Sequence, residues 1–200
     1  MAITINGNGT ITGISVGGLP DGVVDTNMLA ANAVTAAKSS GLATTNGITM
    51  VDQWRVTTSF NSGNTDIDSN WERVDTGGFG QIGTGMTQSN GIFTFPSTGV
   101  YRIDFQAAAA RGSADSIRYV NFYIKTTTDN SNYIESSYAV TNIHNANDVY
   151  ASVFLNFIFD VTNVSTHKVK FFVQAEETLS WLGSTNTNNI GATFTRLGDT

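Results

Sequence analysis

Every aromatic side chain of this 200-residue chain lies at or beyond Trp54: 12 Phe, 6 Tyr and 3 Trp, with none in the first 53 positions. Aromatic rings carry much of the burial that holds a small domain together. The chain is thus divided before any element is assigned, into a segment that cannot build a core of its own and one that can. In the first segment Asp21, Asp25, Lys38 and Asp52 are the only charges. Ile3-Thr4-Ile5 and Thr10-Ile11-Thr12 flank Asn6-Gly7-Asn8-Gly9, the pattern of a small hairpin, although two strands alone are marginal in water. Gly17 to Gly22 reads as turn. Asp25 or Thr26 can cap an Ala-rich helix over about residues 26–39, with Lys38 in its last turn and Gly41 just beyond. A helix of that length is not stable alone, so Met28, Leu29 and Val34 require a surface to pack on. The expectation is an arm over 1–50 that orders against a partner or against copies of itself; the alternative is an unstructured tail.

From Trp54 onward the pattern is short strands at regular spacing. Thr98 to Ala107 alternates cleanly, with Tyr101, Ile103, Phe105 and Ala107 on one face and Arg102, Asp104 and Gln106 on the other. Further strands are expected at Gln53–Phe60, Trp71–Asp75, Gly91–Phe95, Ile117–Thr126, Tyr133–Thr141, Tyr150–Val161, Lys168–Ala175 and Ile190–Leu197. Period-2 patterning bounded by Gly, Asn, Ser and Pro marks a β-sandwich or barrel. Loops of unequal length place an elaborate end opposite a trim one, and binding residues concentrate on such loops.

Composition excludes several classes. The chain holds 28 Thr, 20 Asn, 20 Gly and 17 Ser, no Cys, and a net charge of −6. A zinc–thiolate site and a disulfide scaffold are ruled out. No cationic surface exists to release counterions from nucleic acid. No apolar run approaches the roughly 20 residues of a membrane helix, and no signal peptide is visible at Met1-Ala-Ile-Thr-Ile.

Motifs of chemistry are weak. Gly13-Ile-Ser15-Val-Gly17 has nucleophile-elbow spacing without the strand–turn–helix that the elbow requires. Gly78-Phe-Gly80-Gln-Ile-Gly83 has dinucleotide-fingerprint spacing but no helix follows. Asp66-Ile-Asp68-Ser-Asn70 begins like a calcium loop, yet Trp71 and Gly77 stand where Gly and Glu are needed; a solvated turn is the default and a calcium site built otherwise the alternative. His167, beside Lys168, reads as an exposed turn residue. Asp104 has no acid–base partner on its face, so no catalytic residue, metal or cofactor is assigned. For glycan recognition, Trp181 in an expected Glu176–Asn189 loop offers a ring, with Asn186, Asn188 and His144 as polar contacts.

Strand Tyr150–Val161 is apolar on both faces. Ala151, Val153, Leu155, Phe157 and Phe159 can fill a core, which leaves Phe154 and Ile158 to meet something else; Phe172, on the Lys168/Lys170 face of its strand, poses the same question. Self-association covers such side chains, at roughly 1.5–3 kcal/mol for each one fully buried.

Gly91-Ile-Phe-Thr-Phe-Pro-Ser-Thr-Gly-Val-Tyr-Arg-Ile-Asp-Phe105 resembles the central signature of the complement-component and tumour-necrosis-factor-like jelly rolls, through Phe95, Pro96, Gly99, Tyr101 and Phe105. His167-Lys-Val-Lys-Phe-Phe-Val173 and Ala192-Thr-Phe-Thr-Arg-Leu197 are similar to later strands of that family. The resemblance covers about 51–197 and implies an all-β, roughly ten-stranded jelly-roll sandwich assembling as a homotrimer; the unpaired apolar residues Phe154, Ile158, Phe172, Met28 and Leu29 are then the expected interface residues. Ile3 to Gly22, followed by Leu29 to Lys38, is similar to the opening of tailed-phage fibre proteins. That similarity implies a virion protein made in the host cytoplasm, whose arm (Ile3, Ile5, Ile11, Ile14, Leu19) attaches to other virion proteins and whose head over 51–200 faces outward toward host polysaccharide. A tail fibre is the first expectation. A capsid decoration or head-fibre protein is the second, favoured by a length that is short for a tail fibre, and a stand-alone carbohydrate-binding module is the third.

Overall fold

The computed structural model describes residues 4–5, 11–12, 47–113 and 117–200, and the chain divides into two units, Met1–Asn46 and Gly47–Thr200. In the first unit β1 (Thr4–Ile5) and β2 (Ile11–Thr12) pair antiparallel, Ile5 opposite Ile11, which is the expected hairpin. The expected helix over 26–39, with Met28 and Leu29, and the attachment residues Ile3, Ile14 and Leu19 lie outside the described residues.

The second unit is two antiparallel layers; none of its described residues forms an α-helix. One layer runs in the order β5 (Trp71–Arg73), β3 (Met50–Val56), β13 (Gly191–Gly198), β8 (Gly99–Arg111), β11 (Val149–Val161). In the other, β4 (Phe60–Asp66) and β7 (Ile92–Thr94) share one side of β12 (Lys168–Trp181), followed by β9 (Tyr119–Thr127) and β10 (Ile134–Asn142). β6 (Thr87–Ser89) pairs only with β7. The end of β12 crosses between layers, where Ser180 and Trp181 pair with Ala110 and Ala109 of β8. The fold is the all-β jelly roll anticipated, with 11 strands in this unit among the described residues.

The alternation read from the sequence places the core. Tyr101, Ile103, Phe105, Ala107 and Ala109 of β8 face Val169, Phe171, Val173 and Ala175 of β12, all buried. Phe105 stacks on Phe171 across the layers, centroids 4.5 Å apart. Phe93 is the hub of an aromatic cluster, with Trp71, Phe194, Trp54 and Phe171 at 5.1, 5.2, 5.5 and 5.6 Å. Ring pairs of this kind add about 0.5–1.5 kcal/mol each beyond their area burial.

The structure corrects three expectations. The strand expected over Gln53–Phe60 is two strands, β3 and β4, broken at 57–59. β4 has little apolar character and is held by ladder bonds to β12 rather than by patterning. The expected Glu176–Asn189 loop is strand as far as Trp181, because β12 bulges between Gln174 and Leu179 and resumes pairing with β4. His167 is buried, not exposed: its ring stacks on Phe159 at 5.5 Å and its two nitrogens meet the hydroxyls of Thr162 and Thr166.

Candidate functional site

Two surfaces stand out, at opposite sides of the first layer. The first is an apolar edge. β11 ends one layer and β10 ends the other, and the two strands lie against each other. Inward residues of β11 alternate with outward Tyr150, Phe154 and Ile158, which are 72%, 57% and 49% exposed. β10 adds exposed Ile134, Tyr138 and Val140. Six of the ten exposed large hydrophobic side chains among the described residues therefore lie on these two strands. Long edges carrying such side chains are templates for association unless charge, proline or a covering element blocks them. Neither strand contains lysine or proline.

The sequence reading grouped Phe172 with Phe154 and Ile158, but the structure does not bring them together. Phe172 faces outward from the other layer, where the Lys125 ammonium sits 3.5 Å from its ring centroid and Tyr123 meets it edge-on at 5.6 Å. Its apolar surface is thus covered from within the chain. On the same face Lys170 binds Asp66 at 2.6 Å, with Lys125 at 3.9 Å. The start of the calcium-like motif is accordingly held by two ammonium groups.

The second surface is a cavity on the outer face of β3. Buried Arg55 donates from Nε to Glu72 (2.7 Å), from Nη1 to Thr76 Oγ1 (2.7 Å) and from Nη2 to Asp75 (2.6 Å). Those bonds fix the Thr76–Phe79 turn, in which Gly77 and Gly78 adopt φ of 69° and 81° and Phe79 N–H donates to Thr76 C=O. The turn faces the segment Asn186-Thr187-Asn188. Between them lies a cavity of about 380 Å³, lined also by Gln53, Arg55 and Val74.

On the inner side of β3, Asp52 is fully buried. It accepts hydrogen bonds from Arg73 Nε (2.9 Å) and Nη2 (3.2 Å), Trp54 Nε1 (2.8 Å) and the backbone N–H of Met86 (2.8 Å) and Gln53 (3.0 Å). Arg73 also lies over the Trp54 ring at 4.8 Å. Asp52 thereby ties β3, β5 and the 74–86 connection together.

Of the four residues expected to contact glycan, the structure unites Asn186 and Asn188 in this cavity. His144 is exposed on the β10–β11 connection, with its carbonyl accepting from Arg111 Nη1 at 2.6 Å. Trp181 is a correction. It sits in β12 with no exposed surface, packed edge-on against Phe122 at 5.6 Å, and its indole N–H donates to Ser62 C=O at 2.9 Å. A ring so enclosed cannot serve as a stacking platform. Sequence reasoning missed Gln53, Arg55 and Phe79; the Gly77-Gly78 pair ahead of Phe79 was the available signal of a tight turn presenting a ring.

No family model matches this sequence, and no curated protein matches it. Solved structures do. Murine APRIL superposes with a TM-score of 0.51 at 15% identity, over 74% of this chain and 98% of that one. The Eiger TNF of S. frugiperda gives a TM-score of 0.57 at 13% identity, over 78% of this chain and 96% of that one. These likenesses show a shared TNF-like jelly-roll fold.

Proposed function

We propose, from a TNF-like jelly roll whose edge strand β11 exposes a row of apolar side chains, that this chain is a homotrimeric structural protein of a tailed-phage virion. In this reading the apolar edge of each copy packs on a sister copy, and the arm over 1–50 attaches the trimer to other virion proteins. The outward head makes weak contacts with host-surface polysaccharide, strengthened by threefold linkage. A tail fibre is the assignment carried forward. The chain acts by assembly and binding and takes no cofactor.

The observation that carries the assembly is the outward row of Tyr150, Phe154 and Ile158 on β11, none of which is covered within the chain. Closed rotational symmetry is the usual way for soluble chains to cover such a patch. The virion assignment is supported by the similarity of Ile3–Gly22 and Leu29–Lys38 to fibre openings. Gold-labelled antibody against the head, imaged on purified particles by electron microscopy, tests it. Label at the tail is expected. Label spread over the capsid would replace the fibre with a decoration protein, and particles without label would contradict a virion role.

A further inference from the structure

We infer that the cavity between the Thr76–Phe79 turn and the Asn186–Asn188 segment is a binding site for a single neutral hexopyranose unit, with Asn186, Asn188, Gln53 and Phe79 as its contacts. The inference rests on the host-polysaccharide reading above for the source of its ligand and gives that reading a specific site.

The backbone around the cavity is fixed while its polar side chains are not used up. Ser184 N–H donates to Val56 C=O at 2.9 Å, and Ser184 Oγ accepts from the N–H groups of Asn186 (3.1 Å) and Thr187 (3.2 Å). Asn189 N–H donates to Thr187 C=O at 3.1 Å, and Gln106 Nε2 donates to the Asn188 carbonyl. The side-chain amides of Asn186 and Asn188 have no partner among the described residues. Gln53 donates from Nε2 to Thr193 Oγ1 at 3.0 Å, which orients its amide and leaves Oε1 without a donor. Asn186 and Asn188 on a backbone-fixed segment and Gln53 on β3 thus line the cavity with three planar amides that have spare donors and acceptors.

Size and charge select the ligand. An open depression of about 380 Å³ has room for one pyranose ring. Phe79, half-buried, lines the cavity and supplies apolar surface of the kind that the C–H face of a pyranose packs on. The Arg55 guanidinium in the wall does not recruit an anion, because Glu72 and Asp75 both bind it and leave the trio with a net negative charge. An acidic sugar is therefore disfavoured and a neutral one admitted. The site also lies clear of the apolar edge: β13 and β8 separate β3 from β11, a distance of about 14 Å at the usual strand spacing.

The test is saturation-transfer NMR titration of the full chain with the methyl glycosides of glucose, galactose and mannose, and with methyl glucuronide. At least one neutral glycoside should bind with a dissociation constant of about 1–10 mM. Binding should weaken at least about tenfold in Asn186→Ala/Asn188→Ala and in Phe79→Ala, and the glucuronide should bind more weakly than the best neutral ring. Light scattering and the thermal midpoint of each variant confirm assembly and folding. Wild-type affinity in both variants, preference for the glucuronide, or no saccharide binding by the wild-type chain would each overturn the inference. Attachment of full-chain protein to intact host cells separates the two readings. If the double variant attaches as well as wild type, the cavity is wrong and host contact stands; if wild type does not attach, host contact itself fails.

Discussion

Asp52 has no exposed surface, yet five donors converge on its two oxygens. A buried carboxylate is tolerated only when paired and hydrogen-bonded. Removing one partner of such a pair costs about 3–5 kcal/mol; because Arg73 is partly exposed, the lower end applies here. We expect Asp52→Ala to lower the denaturant midpoint by about that stability and to loosen the 74–86 connection, read as faster exchange of the Met86 amide. An unchanged midpoint would show that the clip is ornamental. At this scale the sequence was only partly legible. Met50, Trp54 and Val56 share the inward parity of β3 with Asp52, so a carboxylate among them was a readable sign of a buried pair, although its partner Arg73 was not. Trp181 misled because a Gly- and Asn-rich stretch after it suggested that the loop began earlier. His167 misled because a histidine beside lysine in a turn is usually solvated, whereas Phe159 two residues before the end of β11 supplies a ring to stack on.

Elements were legible where apolar residues alternate and illegible where only backbone pairing holds them. β8, β11 and β13 follow their patterns closely because each has one face on the core. β4 reads Phe-Asn-Ser-Gly-Asn-Thr-Asp and has no such face to announce it. The β6–β7 hairpin carried a signal that went unused: Asn90-Gly91, with φ of 49° and 72°, is the residue pair that two-residue turns favour. Gly91 is also needed for space, since a Cβ there would stand 2.1 Å from the Ile67 carbonyl oxygen. The β9–β10 connection depends on a different device. Asp129 accepts from the Asn132 side chain (2.6 Å) and backbone (2.7 Å), from Thr127 Oγ1 (2.8 Å) and from Ser131 N–H (2.9 Å). These bonds, led by that of the Asn132 side chain, hold its carboxyl well below the usual carboxylate range. A depressed native value means that the turn is stabilised at all pH values above the ordinary carboxylate pKa and loses that support as pH falls through the lower native value. The amide shifts of Ser131 and Asn132 should accordingly titrate together, with a midpoint well under the roughly 3.9 of a free aspartate. A midpoint at the free value would remove the capping role.

For the whole molecule, the period-2 patterning from Trp54 onward announced the all-β sandwich that the second unit, Gly47–Thr200, forms. The two-faced apolarity of β11 matches the exposed Tyr150, Phe154 and Ile158 on its outer face. The sequence could not reveal that β10 lies against β11, nor that Lys125 sits over the Phe172 ring, because both follow from how the layers meet. It also could not bring Gln53 and Phe79 beside Asn186, since residues more than a hundred positions apart meet there only once β3 and β13 have paired. The most direct measurement is the solution mass of the full chain by light scattering at micromolar concentration, beside that of Phe154→Asp/Ile158→Asp. Covered edges predict a wild-type mass of three times the 21.3 kDa of one chain, reduced to a single chain in the variant with its β-sheet circular dichroism retained. A wild-type mass of one chain, with Phe154 open to water, would contradict the account.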